Sequence, residues 1–477
     1  MTVSAHVTLP VWVVAVLALL AALAALDRLL LPGVRWFLRR RVNIVLDEIG
    51  KRLRLEIRPF TLTKRQVLID RLMYDTKVLE AAGTHAIERG IPRDVVMAEV
   101  ERYAREIVPA FNAYAYFRMG YWLARRAARL LYRVRVGFTD EEGLSRVDPK
   151  STVVFVMNHR SNMDYVLVAY LAATRTALSY AVGEWARIWP LQTLVRAMGA
   201  YFIRRNSKDP LYRLVLERYV AMATEGGVVQ AIYPEGGLTK DGALRTPRLG
   251  LLDYMTRAFD PKGERDIVFI PVGINYDRTL EDRSQVLALE AEAPRRGAGF
   301  AAATSIRFLL RNLLLMLQGR WYRFGYACVN FGSPLSMRAY SRERGIDLRT
   351  LPREERFQEV EMLASSLMRS VGRVVPVLPV SLVSTILLRL PNGCWSELEL
   401  KAEALRMIEE LSGAGAHIYI PRADQDYAVT VGLRILTLRK LVSEKDGLFS
   451  PLPEELPLLR YYANSIRHLF PETTVSG

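Results

Sequence analysis

The chain has 477 residues, of which 51% are hydrophobic and 24% are charged, with a formal net charge of +16 and a pI of about 9.8. This composition excludes a disordered chain, and the length allows two or three domains or one large core with appendages. The positive charge indicates a polyanionic partner, which is nucleic acid, an anionic membrane or a phosphorylated substrate. No nucleic-acid-binding motif accompanies it. Two distant cysteines, Cys328 and Cys394, exclude a disulfide framework and a zinc site built on cysteine.

The first segment, from Val7 to Leu26, is nearly continuous apolar sequence with the length of one membrane span. Basic residues follow it, and such residues mark the cytoplasmic flank of a span; they are Arg35, Arg39, Arg40 and Arg41. We therefore expect residues 1–33 to form an uncleaved single-pass anchor in the cytoplasmic membrane, with the rest of the chain on the cytoplasmic side. The alternative is an apolar helix that lies on the bilayer or in the core.

We expect residues 34–133 to form a helical N-terminal region, because the apolar periodicity from Thr63 to about Arg133 is that of helices, with a break at Gly90-Ile91-Pro92. Within this helical N-terminal region, the stretch from Ala113 to Leu131 is both aromatic and basic. It is either an interfacial helix or a core helix with an arginine-bearing outer face.

Residues 134–340 alternate between apolar strand patterns and helical patterns, which predicts an α/β sheet. We expect strands at 134–138, 153–157, 200–203, 228–232, 267–270 and 326–331, with helices at 165–171, 211–224 and 249–259. A further apolar segment at 302–318 contains Arg307 and Arg311, which favours an amphipathic or packed helix over a second span. Residues 341–477 form a helical C-terminal region, in which Ser396 and Glu399 predict a capping box.

The apolar run Val153 to Met157 ends in a polar loop, and this is the pattern of a strand that is buried on both faces and delivers side chains to a sheet edge. His159 and Asp164 lie five positions apart across that turn. A tight turn brings the carboxylate to one imidazole nitrogen and leaves the other nitrogen for acid–base chemistry. The alternative is a helix cap beside a surface imidazole.

Three more stretches follow predicted strands. Arg204 and Arg205 end the run that starts at Gly199, and they are either a phosphate site or a solvated strand end. Tyr233-Pro-Glu235-Gly236-Gly237 is either a ligand-binding loop or a turn. Ile270 to Ile274 contains Pro271, which we expect at a sheet edge or a bulge because proline lacks a backbone donor.

Taken in order, these four stretches resemble the four sequence blocks of the glycerolipid acyltransferases, and most closely the glycerol-3-phosphate acyltransferase branch. The first block of that branch, HRS-x-MDY, is matched by His159, Arg160, Ser161, Met163, Asp164 and Tyr165. Its second block is matched from Gly199 to Arg205, and its C-terminal tyrosine- and asparagine-bearing helix is similar to Leu459 to Phe470. The resemblance covers residues 65 to 470.

The resemblance implies an acyltransferase-type mixed α/β sheet flanked by helices, and the acylation of glycerol 3-phosphate by acyl-CoA or acyl carrier protein. It makes His159 the general base and Asp164 the residue that holds its imidazole. The other residues that it implies bind substrate or the transition state; they are Arg160, Ser161, Arg204, Arg205, Glu235, Gly236, Gly237, Lys240 and Pro271. We expect no metal, no cofactor, no covalent acyl-enzyme and no nucleic acid, and contact with anionic membrane lipid.

The sequence departs from the family pattern at two positions. Leu238 stands where the third block has an arginine, and Asn162 stands where histidine is commoner. Arg245 or Arg248 is a candidate for the lost cation. The acceptor therefore stays open between glycerol 3-phosphate, lysophosphatidate and dihydroxyacetone phosphate, and a non-catalytic lipid-binding membrane protein is the alternative of a different class.

Overall fold

A computed structural model describes residues 60, 63–112, 116, 120–172, 178–183, 191–204, 207–289 and 324–470. The expected anchor and the apolar segment at 302–318 lie outside these residues. In the described ranges no helix is both long and apolar enough to cross a bilayer. All the described residues fall within one compact unit, residues 57–477, and the division into four regions stays a prediction.

The centre of this unit is a mixed sheet. Its strands are β1 (Arg133–Thr139), β2 (Thr152–Met157), β3 (Ser179–Val182), β4 (Tyr201–Phe202), β5 (Gln230–Ile232), β6 (Ile267–Tyr276), β7 (Tyr326–Phe331) and β8 (Leu335–Ser336). They lie in the order β1-β7-β6-β2-β5-β3-β4, and β8 pairs with β6. β2 to β6 run in one direction, whereas β7 and β8 run antiparallel to β6. The predicted mixed α/β sheet is therefore confirmed.

β2 lies inside the sheet, between β5 and β6, as its uncharged sequence predicts. Because β2, β3, β4, β5 and β6 are parallel, their carboxyl ends share one edge of the sheet. The loops that follow β2 and β5 therefore meet at that edge, which is where open α/β sheets bind ligands.

The expectation that Pro271 lies at an edge or a bulge was wrong, because β6 is an interior strand. Gly332 donates its backbone N–H to the Pro271 carbonyl at 2.8 Å, so both the C=O and the missing N–H of Pro271 face the β7–β8 side. On that side β8 pairs only as far as Phe269, and β7 starts pairing at Val272. The missing donor therefore falls in the gap between the two partner strands.

Helices cover the sheet, and further helices precede and follow it in the chain. They are α1 (Arg65–Met73), α2 (Thr76–Arg89), α3 (Arg93–Ile107), α4 (Tyr121–Leu131), α5 (Glu141–Ser145), α6 (Met163–Ala172), α7 (Leu191–Ala197), α8 (Pro210–Glu225), α9 (Gly250–Thr256), α10 (Asp282–Leu287), α11 (Met337–Arg344), α12 (Arg353–Arg373), α13 (Pro379–Leu387), α14 (Glu397–Gly413), α15 (Gln425–Leu438) and α16 (Leu456–Ala463). A small antiparallel sheet joins β9 (Trp395–Ser396), β10 (Val442–Lys445) and β11 (Leu448–Pro451).

Two local signals in the sequence are confirmed. Gly90, in the left-handed region at φ 62°, ends α2, and Pro92 directly precedes α3, so the predicted helix break is present. Ser396 and Glu399 form the predicted capping box of α14. The C-terminal helices pack around their own apolar core, which α16 joins through Tyr461 and Tyr462.

Candidate active site

The loop after β2 brings His159 and Asp164 together. His159 Nδ1 lies 2.9 Å from Asp164 Oδ2, and His159 is only 2% exposed. The same oxygen accepts the backbone N–H groups of Arg160 at 2.8 Å and Ser161 at 3.0 Å. Asp164 lies in the first turn of α6, where the helix dipole also favours a negative charge. The carboxylate is therefore fixed as an acceptor for the imidazole.

Because Asp164 accepts at Nδ1, the proton of a neutral His159 sits on Nδ1, and Nε2 keeps its lone pair. The imidazole stacks on the ring of Tyr233 with centroids 4.2 Å apart, and Tyr165 meets it edge-on at 5.3 Å. The Tyr165 hydroxyl lies 3.5 Å from Nε2. This arrangement leaves Nε2 as the ring nitrogen that can accept a proton, which is the geometry that a general base needs.

Asn158 fixes the point at which β2 gives way to the loop. Its side-chain amide donates to the Ile274 carbonyl at 2.9 Å and accepts from the Ile274 N–H at 2.8 Å. The Asn158 side chain thus bonds to the backbone of β6 just beyond Met157, where the backbone pairing of β2 with β6 ends. His159 is the next residue, so these two hydrogen bonds help to fix the orientation of its imidazole.

The loop after β5 holds the backbone of His159 from the other side. Glu235 Oε1 accepts the His159 N–H at 3.0 Å, and the Thr239 N–H donates to the His159 carbonyl at 3.0 Å. Gly236 has φ 68°, and a Cβ there would lie 2.5 Å from Arg248 Cδ. Glycine is therefore required where this loop turns against Arg248. Gly237 is buried beside it.

Burial raises the pKa of Glu235 to about 8, against a smaller opposing effect of the His159 N–H. Its second oxygen, Oε2, is buried and has no hydrogen-bond partner among the described residues. At neutral pH Glu235 is therefore largely protonated and has an O–H to donate.

Replacing Glu235 with Gln is expected to change how stability depends on pH. The folded chain holds a proton on Glu235 that the unfolded chain releases, so stability falls as pH rises from about 4.5 to about 8. Gln cannot ionise, so the melting temperature of Glu235→Gln should rise relative to wild type across that window. Melting curves at several pH values test this, and two parallel pH dependences would contradict it.

Arg160 is a buried cation with unused donors. One guanidinium N–H group, Nη1, donates to the Gly242 carbonyl, and the group lies 4.7 Å from the centre of the Tyr461 ring. Nε and Nη2 are buried without a hydrogen-bond partner in the described ranges. Buried, unsatisfied N–H groups are costly, so they indicate a polar ligand at this place.

Ser161 and Asn162 are bound to a half-buried carboxyl group that the sequence did not single out. The Ser161 hydroxyl donates to Glu281 Oε2 at 2.7 Å, and both the backbone N–H and the amide of Asn162 donate to Glu281 Oε1, at 3.2 and 3.0 Å. Burial raises the pKa of Glu281. The Ser161 hydroxyl thus stabilises the loop, and its expected contact with substrate stays a prediction.

Arg204 is not brought to His159. Its Nε and Nη2 form a bidentate ion pair with Glu106, at 3.0 and 2.7 Å. β4 is separated from β2 by β5 and β3, which corresponds to roughly 14 Å at the usual strand spacing. Arg205 lies outside the described residues. Both assignments to the acceptor phosphate stay predictions.

The remaining predicted residues lie around the same loops. Lys240 is exposed, with Nζ 3.5 Å from the Ala288 carbonyl. Arg245 donates to the Leu238 carbonyl at 3.4 Å, and its charge lowers the pKa of Glu235, although burial outweighs this effect. Pro271 lies in β6, level with Val156 of β2.

Sequence reasoning missed Asn158, Gly242, Tyr276, Glu281 and Tyr461. Tyr276 carried a weak signal, because the apolar strand pattern from Ile267 runs on to it and ends at the edge used by β2. Tyr461 was part of the resemblance but had no assigned contact. Gly242 ends the stretch that resembles the third block but had no assigned contact, and nothing local in the sequence distinguishes Glu281.

Comparison with known proteins gives two family matches: "Acyltransferase" over residues 135–275, and "Glycerol-3-phosphate acyltransferase C-terminal region" over residues 310–474. Among similar proteins, the glycerol-3-phosphate acyltransferase of Xanthomonas axonopodis pv. citri (strain 306) is 25% identical over 443 residues, which are 90% of this chain and 49% of that protein. The glycerol-3-phosphate acyltransferase of Xylella fastidiosa (strain M23) is 25% identical over 450 residues, 90% of this chain and 50% of that protein. The chain thus spans about half the length of these curated relatives.

Among solved structures, the 1-acyl-sn-glycerophosphate (LPA) acyltransferase PlsC from Thermotoga maritima matches with a TM-score of 0.30 and 15% identity, over 64% of this chain and 96% of that chain. The mixed sheet, the His159–Asp164 pair at the end of its central strand and the family matches define a protein of the α/β acyltransferase class. The two family models and the curated relatives, which match 90% of the chain, together support the glycerol-3-phosphate acyltransferase family. The resemblance drawn from the sequence is therefore confirmed.

Proposed function

We propose that this protein is an O-acyltransferase that moves an acyl group from an acyl thioester to a hydroxyl of glycerol 3-phosphate. The observation that carries the proposal is the buried pair itself, with His159 Nδ1 at 2.9 Å from Asp164 Oδ2 and Nε2 left as an acceptor. The names of the Xanthomonas and Xylella relatives supply the acceptor.

In this mechanism His159 Nε2 takes the proton of the acceptor hydroxyl while its oxygen attacks the thioester carbonyl. A C–O bond forms, and the tetrahedral intermediate then expels the thiolate as the C–S bond breaks. The imidazolium returns the proton to the leaving sulfur. Asp164 stays ionised and stabilises the imidazolium. We expect no covalent acyl-enzyme, metal or bound cofactor to take part.

The acceptor phosphate is proposed to bind Arg160. Its Nε and Nη2 are adjacent donors without a partner in the described part of the chain, and two parallel N–H groups suit a phosphate oxygen pair. Glu235, with an unpaired Oε2, is a fit for a second acceptor hydroxyl. In this proposal Arg160, from the first block, supplies the cation that binds phosphate, so the arginine that Leu238 replaces is not needed.

The test uses membranes carrying the protein, with labelled glycerol 3-phosphate, dihydroxyacetone phosphate or lysophosphatidate as acceptor and acyl-CoA or acyl carrier protein as donor. Membranes carrying His159→Ala are the matched control. Acylation of glycerol 3-phosphate above that control supports the proposal. Preference for another acceptor revises the substrate, and no product from any pair favours the non-catalytic alternative.

We further propose that the protein works at an anionic membrane. Helix α4 presents Trp122, Leu123 and Leu130 to solvent beside exposed arginines, and it contains no acidic residue. A tryptophan with flanking cations is typical of a helix at a lipid interface. The apolar segment from Val7 to Leu26, outside the described residues, is proposed as the anchor.

Extraction of cell membranes separates these contributions. An anchored protein should stay in the pellet after washing with alkaline carbonate. Release by carbonate, together with weaker sedimentation of a Trp122→Ala, Leu123→Ala variant, would show that the protein binds the membrane through α4 at the interface and not through an inserted anchor. Recovery of wild type in the soluble fraction would contradict both.

A further inference from the structure

Tyr276 is the last residue of β6, and it is completely buried at the edge where the loop after β2 turns back. Its hydroxyl donates to Asp164 Oδ1 at 2.6 Å. Its ring packs against Tyr132 with centroids 5.2 Å apart, and the Tyr132 hydroxyl is itself bound to the Arg278 carbonyl. Both tyrosines are thus held in place by the strand and the turn that follows it.

The two oxygens of Asp164 have different partners. Oδ2 accepts from the His159 ring and from the backbone N–H groups of Arg160 and Ser161. For Oδ1, the hydroxyl of Tyr276 is the one hydrogen bond that the described residues supply. A buried carboxylate oxygen without a donor is costly, so this bond decides how much negative charge remains on the side that faces the imidazole.

We infer that Tyr276 is a positioning residue of the proposed acyl transfer, which extends the His159–Asp164 pair to a tyrosine–aspartate–histidine chain. The role of Tyr276 in acyl transfer rests on the proposed function, whereas its effect on His159 rests on the hydrogen bond alone. By donating to Oδ1, Tyr276 fixes the carboxylate plane and moderates its attraction for the imidazolium. The imidazole is then held in one orientation while it still releases its proton to the leaving thiolate.

Other groups near the carboxylate set the background against which Tyr276 acts. The titratable groups that interact with Asp164 from the surrounding elements are His159, Tyr233, Glu235, Tyr276 and Glu281. Tyr233, Glu235 and Glu281 stay in the protein when Tyr276 is replaced by Phe, so a shift in the titration of His159 reports the lost hydroxyl.

The test compares wild type, Tyr276→Phe and Tyr201→Phe in the full chain. Tyr201 is the matched control, since it is also a buried strand tyrosine but its hydroxyl has no partner among the described residues. Histidine ring nitrogens are labelled and titrated by NMR, and His159 is assigned by the signal that His159→Ala loses. We expect the His159 midpoint to move up by about one pH unit in Tyr276→Phe and to stay unchanged in Tyr201→Phe.

The same proteins are assayed for acyl transfer. Tyr276→Phe should lower kcat roughly ten- to hundredfold with little change in the acceptor KM, and should move the acid limb of the rate profile to higher pH. If Tyr276→Phe folds poorly, a fluorinated tyrosine at position 276, which is a stronger donor, should move the midpoint down. An unmoved His159 titration overturns the inference whether or not the wild type is active, whereas an inactive wild type overturns the proposed function alone.

Discussion

Asp164→Asn is expected to slow acyl transfer by roughly 10³- to 10⁴-fold while leaving the acceptor KM nearly unchanged. The wild-type carboxylate is surrounded by donors: the His159 ring, two backbone N–H groups and the Tyr276 hydroxyl. An amide has one acceptor oxygen, so its NH₂ must face one of these donors in either orientation. If the NH₂ faces His159, the imidazole loses its acceptor or takes the wrong tautomer. If the NH₂ faces Tyr276, whose hydroxyl can accept, the imidazole keeps only a neutral partner. In both cases the negative charge that stabilises the imidazolium is lost. Steady-state kinetics with both substrates measures the effect.

Asp209→Asn is the matched control for this change. Asp209 also accepts backbone N–H groups at a helix start, from Leu211 and Tyr212, and a tyrosine hydroxyl, from Tyr103. Asparagine is a good helix cap, so the control should keep its activity and most of its stability. A similar loss in both variants would mean that Asp164 acts through the fold and not through His159.

Gly242→Ala is expected to destabilise the protein by about 3 kcal/mol or more and to abolish acyl transfer with it. Gly242 has φ 89°, and a Cβ there would lie 1.8 Å from the backbone oxygen of Tyr461 in α16. Backbone atoms cannot rotate away, so the loop after β5 and α16 must separate. Arg160 donates to the Gly242 carbonyl and lies over the Tyr461 ring, so this separation removes both of its supports.

Gly415→Ala separates the clash from backbone strain. Gly415 also has a left-handed φ, of 80°, but a Cβ there meets nothing within 4 Å. Its cost should be about 1 kcal/mol, because only the backbone preference is lost. Chemical denaturation and the acyl-transfer rate are measured for both variants. Equal losses in the two would show that the contact with Tyr461 carries no weight.

The sequence predicted the part of the site that is local in the chain. His159 and Asp164 are five residues apart, and the apolar run before them has the pattern of an interior strand, so a turn that joins them was a short-range inference. The sheet followed in the same way from alternating patterns. Pro271 was expected at an edge or a bulge because proline cannot donate a backbone hydrogen bond. In the structure it faces the gap between β7 and β8, where no donor is needed, and the position of that gap is a property of the assembled sheet.

The remaining contacts depend on distant segments. Tyr276 reaches Asp164 across 112 positions, and the Tyr461 hydroxyl lies 3.4 Å from the Arg160 carbonyl across 301 positions. Periodicity and turn signals concern residues that are close in the chain, so they do not predict which buried tyrosine contacts which loop. For the same reason, the ion pair of Arg204 with Glu106 was not foreseen, since Glu106 belongs to a helix that precedes the sheet.

The central claim is that His159 activates a hydroxyl of a phosphorylated glycerol for attack on an acyl thioester. Its most direct test is the formation of labelled lysophosphatidate from labelled glycerol 3-phosphate and acyl-CoA, measured for wild type and His159→Ala at equal protein levels in the same membranes. We predict product from wild type and none above background from His159→Ala. Equal product from the two proteins would contradict the claim.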